Sequence, residues 1–134
     1  MKIGQGVLYV YRPAQRDLAI MSAVFYIDGQ QVTILEIGGF AAIPISAGQH
    51  KVGHQWRAGI FGNENLNSRP IFATVNIQEG QPTYVRLVAQ ARQEATRSPY
   101  EFKTNYRWNL EEVRGDVALP EIQLTKGTPI EPQR

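Results

Sequence analysis

Apolar and polar residues alternate with period two along almost the whole chain, the signature of strands with one face in a core and one in water. The cleanest run sets Ile71, Ala73, Val75 and Ile77 on one face and Phe72, Thr74, Asn76 and Gln78 on the other. Val85, Leu87 and Ala89 alternate with Arg86, Val88 and Gln90, and Thr104, Tyr106, Trp108 and Leu110 with Asn105, Arg107 and Asn109. Val7–Tyr11 and Ala23–Ile27 are apolar on both sides and read as more central strands. Pro13 ends the first, since it cannot donate to a ladder.

The breaks between these runs carry turn chemistry. Asp28-Gly29 predicts a tight hairpin into Val32–Glu36, because such a turn needs positive φ, which glycine reaches cheaply. Gly38-Gly39, Ser46–Gln49 and Glu79–Pro82 mark further turns. The expected fold is all-β: a single antiparallel β-sandwich, Ig-like or transthyretin-like, with seven or eight strands. Asp116 could cap a helical turn, but Pro120 would then fall inside it and remove a donor. The expectation there is at most one short helix, or a brief strand near Glu121–Leu124. One domain over residues 1–126 follows, with 127–134 a frayed tail. Polar loops are expected at Gly59–Arg69 and Arg92–Glu101.

Composition narrows the class. At 134 residues the chain is one domain, and a hydrophobic fraction of 43% suffices for a core. The absence of cysteine excludes disulfides, thiolate nucleophiles and thiolate metal sites. The net charge of +2 is spread along the chain, so no basic stretch points to nucleic acid. Met1–Gly6 leads straight into a strand-like segment, and the longest apolar run, Leu18–Ile27, is well short of the ~20 residues of a membrane-spanning helix. The chain is thus expected to be cytosolic, or to have an export segment outside this sequence.

No catalytic constellation stands out, and no enzyme or cofactor is expected. His50 and His54 would share the inner face of a strand with Val52 and Trp56 and read as structural; metal binding through them is the weaker alternative, since the strand holds no third ligand. None of Ser22, Ser46, Ser68 and Ser98 lies in a nucleophile-elbow context. Glu111 and Glu112 would point to opposite faces, Ile37–Phe40 lacks the lysine of a phosphate loop, and Asn63–Asn67 carries too little charge for calcium. What remains is a set of arginines with aromatics in the two expected loops: Arg57, Phe61 and Arg69 with the first, Arg92, Arg97 and Tyr100 with the second. That is the composition of a recognition surface. Phe72 and Tyr84 would be exposed on sheet faces, which offers a second reading: carbohydrate or small-ligand binding there.

Three segments carry a family resemblance: Val7–Pro13 with its Tyr-Arg-Pro ending, Phe25–Val32 with the Asp-Gly hairpin, and Gly38–Val52 with its Ala-Gly-Gln-His turn. Together they resemble the uncharacterised bacterial β-sandwich domain of unknown function family 2846, over roughly residues 6–90. The resemblance implies an exported or lipoprotein-like member of the cell envelope or periplasm, touching a membrane only through an N-terminal lipid anchor that this sequence lacks. It brings no activity to transfer. The function expected is a non-enzymatic binding or structural module that engages a protein partner through loops and sheet edges.

Overall fold

The strands form where the alternation places them. The computed structural model describes residues 3–14, 21–57, 69–95, 97–124 and 126–127. In chain order it holds β1 (Gln5–Tyr11), β2 (Ser22–Ile27), β3 (Gln30–Leu35), β4 (Gly39–Ser46), β5 (Gly48–Arg57), β6 (Ile71–Ile77), β7 (Pro82–Ala95), β8 (Phe102–Val113), α1 (Gly115–Gln123) and the two-residue β9 (Lys126–Gly127). They make two sheets, ordered β8-β7-β1-β4-β9 and β3-β2-β5-β6. The segments apolar on both sides, β1 and β2, are interior strands, as their sequences predict.

One apolar core lies between the sheets, with Leu8, Val10, Ile43, Val85 and Leu87 from the first and Phe25, Leu35, Val52, Trp56, Val75 and Ile77 from the second. Gly29 takes the positive φ that the hairpin signal implies, at 86°, and Asp28 takes one as well, at 50°.

The pairing is not purely antiparallel. β1 lies between an antiparallel β4 and a parallel β7, and β9 runs parallel to β4. The cause is the way the chain crosses from β6 to β7. Its turn folds back onto the start of β1, with Val7 N–H donating to the Gln81 carbonyl at 3.2 Å and Gly80 N–H to that of Gln5 at 2.8 Å. β7 therefore enters its sheet from the same end as β1. Gly6 makes this approach fit, because a Cβ there would lie 2.5 Å from the Gln78 carbonyl oxygen and 2.9 Å from that of Gln81.

Further points concern the second half of the chain. Arg92–Ala95, expected in a loop, continue β7 in an unbroken ladder with Phe102–Asn105, leaving only 96–101 as the connection. Alternation fades there because Gln93 and Ala95, in phase with the buried Leu87 and Ala89, are exposed, so that face no longer has to be apolar. The C-terminal helix forms through Pro120. In so short a helix the missing N–H deprives only the Asp116 carbonyl, in the first turn, where water reaches it. Asp116 is not the cap; that position is Arg114, whose side chain pairs with Asp116. Gly127, assigned to a frayed tail, pairs with Phe40, and 128–134 lie outside the described residues.

The helix covers the outer face of β1 and β7. Ala118 and Ile122 pack on Tyr11 and Tyr84, with Tyr9, Phe40 and Val113 around them. Glu121 Oε1 accepts from the Tyr11 hydroxyl at 2.7 Å and from Arg86 Nη1 at 2.8 Å, while Arg86 also pairs with Glu111. Burial and the Glu121 carboxylate push the Tyr11 hydroxyl well above its usual pKa, so it stays protonated and donating. Among the described residues, no helix is long and apolar enough to cross a membrane.

Candidate functional site

The two ends of the body differ. One end carries tight turns at Asp28-Gly29, Ser46–Gly48 and Gln78–Gln81. At the other lie the strand ends that the connections 12–21, 36–38 and 58–70 join, and the 97–101 tip of the β7–β8 hairpin. Because β1 pairs with β7 only as far as Tyr11↔Arg86, Leu87–Ala95 run on past it together with the start of β8. Gln90, Gln93, Ala95, Tyr106 and Arg107 on this arm are exposed.

Of the arginine and aromatic residues expected to bind, those that are described fall at this end, in two groups. Arg57 ends β5 and Arg69 precedes β6, both exposed. Arg97 is exposed and Tyr100 is 91% exposed at the tip of the arm, where Tyr100 N–H donates to Ser98 Oγ at 3.3 Å. Arg92 belongs to β7 rather than to a loop. Phe61 lies outside the described residues, as does the Asn63–Asn67 segment.

Beneath this end sits a buried arginine that the alternation pattern does not single out. Arg12 is buried, and its Nη1 donates to the carbonyls of Met21 and Leu35 at 2.5 and 3.2 Å, joining β1 to the start of β2 and the end of β3. Its guanidinium carbon lies 4.8 Å from the centre of the Trp56 ring. Burial pushes its pKa down to about 10, so it is still charged at neutral pH. A signal was present: Arg12 continues the inner-face phase of Leu8 and Val10.

His54 packs edge-on against Trp56 at 4.6 Å and beside Phe25 at 5.4 Å, and Trp56 meets Trp108 at 6.0 Å. Its Nδ1–H donates to the Val24 carbonyl at 3.2 Å. Burial, with the charge of Arg12 adding, pushes its pKa down to about 3 against the opposing pull of that hydrogen bond.

A pH dependence follows. Between about pH 6.5 and pH 3 the unfolded chain holds a proton at position 54 that the folded chain rejects, so stability falls with acidification by up to ~1.4 kcal/mol per pH unit. His54→Leu, close in volume, is expected to remove this slope and to be more stable than wild type by pH 5. Urea titrations at pH 7 and pH 5 check it; equal losses in both proteins would contradict a neutral buried imidazole.

His50 titrates in the opposite sense. Partial burial pulls its pKa down, but the hydrogen bonds to Asp28 and to the Ser46 carbonyl and the Asp28 charge outweigh that, and the net shift is upward. Its contribution is therefore complete below the ordinary histidine pKa and lost as pH rises through the raised one. Asp28, held below its usual range by the Lys51 N–H and by His50, contributes above the ordinary aspartate pKa.

Asp28, His50 and Ser46 have the residue types of an acyl-transfer triad, with His50 Nδ1 2.5 Å from Asp28 Oδ2 and Nε2 3.3 Å from Ser46 Oγ. The donor pattern is wrong for it. Nε2 lies 2.8 Å from the Ser46 carbonyl oxygen, nearer than Oγ, so its hydrogen is directed to that carbonyl. A nitrogen that holds this hydrogen cannot receive the serine proton. The adjacent Ala47 N–H is already bonded to the Gly4 carbonyl at 2.8 Å. The three residues clamp the β2–β3 hairpin to the β4–β5 turn. His50 and His54 do not form a joint site, and among the described residues no group of three histidines and carboxylates could hold a metal.

Phe72 and Tyr84 do not form a shared face. Phe72 is 54% exposed on the outer side of β6, lying over Gly53 with Lys51 Nζ 4.2 Å from its ring centre. Tyr84 lies in the other sheet, stacked on Tyr9 and buried beneath α1. The expectation that it is exposed fails because the helix supplies a layer on that face. No family model, no curated protein and no solved structure matches the chain.

Proposed function

We propose that this chain is a non-enzymatic binding module whose working surface is the end with the long connections, and that its partner is another protein. The observation that carries the reading is the β7–β8 arm. It projects past the core and bears exposed Arg97 and Tyr100 at its tip, with exposed Arg57 and Arg69 on the same end of the body. Arginine and tyrosine are the residues that most often anchor protein interfaces. A two-sheet scaffold presenting long connections suits that task. The finer fold class proposed is an Ig-like or transthyretin-like sandwich. A place in the bacterial cell envelope is proposed with it, resting on the resemblance to the domain of unknown function family 2846.

The test is affinity capture from the native cells with the wild-type chain, an Arg97→Ala/Tyr100→Ala variant, and a Gln78→Ala control at the opposite end. Wild type and control are expected to retain the same partner and the tip variant to lose it about tenfold or more. Equal retention by all three would sink the assignment.

A further inference from the structure

β8 is the outermost strand of its sheet, and among the described residues it pairs with β7 alone. Edge strands ordinarily carry devices against joining another chain: they are short, or interrupted by proline, glycine or a bulge. β8 has none of these. It runs from Phe102 to Val113 without proline or glycine, and its register with β7 is continuous throughout. The remaining device is charge, and here both signs are present: Arg107 and Glu111 lie on one face of the strand, two positions either side of Asn109. A strand with that symmetry attracts a copy of itself in one register.

We propose that two copies of this chain pair through β8, antiparallel about a two-fold axis at Asn109, so that their sheets continue into one another. An axis perpendicular to the sheet keeps the inner faces on the same side, which restricts the registers to those centred on a residue. Centring on Trp108 sets Arg107 opposite the partner's Asn109, and centring on Leu110 sets it opposite the partner's Val113. Centring on Asn109 sets Arg107 opposite the partner's Glu111 twice over and opposes no like charges. Directly opposed charges of opposite sign stabilise a strand pair, and like charges destabilise it.

Glu111 has capacity for this contact, since Arg86 engages it through Oε1 in every bond described. The same register places Trp108 opposite the partner's Leu110. Both residues are half-buried at the rim of the core, so pairing covers apolar surface that one copy leaves at its edge. The interface uses the body of β8 and not the Arg97–Tyr100 tip, so it extends beyond the binding role proposed above and stands or falls separately from it.

The chain has no cysteine, so Asn109→Cys supplies one thiol at the proposed axis. Directly opposed Cβ atoms in an antiparallel pair lie about 4.5–5.5 Å apart, close to the span of a disulfide. Mild oxidation is expected to link most of the Asn109→Cys protein into dimers and to leave a Gln78→Cys control monomeric. Adding Arg107→Glu, which opposes like charges, is expected to lower the linking about tenfold with the circular dichroism spectrum unchanged. Light scattering on the wild type is expected to give twice the chain mass, and on Arg107→Glu the mass of one chain. A wild-type monomer, with Asn109→Cys linking no faster than Gln78→Cys, would overturn the proposal. So would linking that Arg107→Glu leaves intact. Arg97→Ala/Tyr100→Ala tests the binding role instead and is expected to leave the dimer whole.

Discussion

Replacing Arg12 by alanine is expected to destabilise the fold by about 3 kcal/mol, because buried acceptors left without a donor cost about 1–3 kcal/mol each and a cavity adds to that. The guanidinium sits where two strand ends and an indole converge: it donates to the Met21 and Leu35 carbonyls and covers the Trp56 ring. Alanine removes the donors and the volume together. Arg12→Met restores most of the volume without the donors, so it is expected to lose less than alanine and more than half of a kcal/mol. Urea unfolding separates the cases: the midpoint should fall in the order wild type, methionine, alanine, with the slope unchanged. An alanine variant within about 0.5 kcal/mol of wild type would mean that Arg12 holds nothing together.

Gly6→Ala is expected to be at least as damaging, and for a different reason. The Cβ would meet the backbone oxygens of Gln78 and Gln81 and Cγ2 of Ile77, all at less than 3 Å. Two of the three obstacles are main chain, so no rotamer change relieves them. Either β1 moves away from the turn, breaking the Val7–Gln81 and Gly80–Gln5 bonds, or β7 loses its register on β1. A loss of about 3 kcal/mol or more follows from overpacking against an unyielding backbone. Thermal melts of Gly6→Ala beside Gly80→Ala locate the cause. Gly80 has φ of 72° with open space around it, so alanine there costs only local strain. If Gly80→Ala proved the more harmful, the close approach at Gly6 would not be what fixes the parallel pair.

How far the sequence reveals this arrangement depends on whether a feature leaves a periodic trace. Ile71–Ile77 is legible because β6 has water on one side and core on the other, and the Asp28-Gly29 hairpin because its backbone demands those residues. The arm is not: Arg92–Ala95 read as loop since Gln93 and Ala95, in phase with the buried Leu87 and Ala89, are exposed and need not be apolar. The parallel β1–β7 pair leaves no trace either, as it depends on a contact between Gly6 and a turn far along the chain. Tyr84 reads as exposed until α1 is placed on it, and α1 itself is obscured by Pro120. Of the candidate site, the types and positions of Arg97 and Tyr100 are legible, and so is the inward phase of His54. The pairing of His50 with Asp28 is not, because it joins two turns that only the folded sheet brings together.

The end with the long connections is the surface proposed to meet a partner. A photo-reactive phenylalanine analogue placed at position 100 in one strain and at position 78 in another tests it in the native cells. Both positions are exposed, and they lie at opposite ends of the body. A discrete cross-linked species to another protein is expected from position 100 and none from position 78. Cross-linking from position 78 alone, or equally from both, would contradict it.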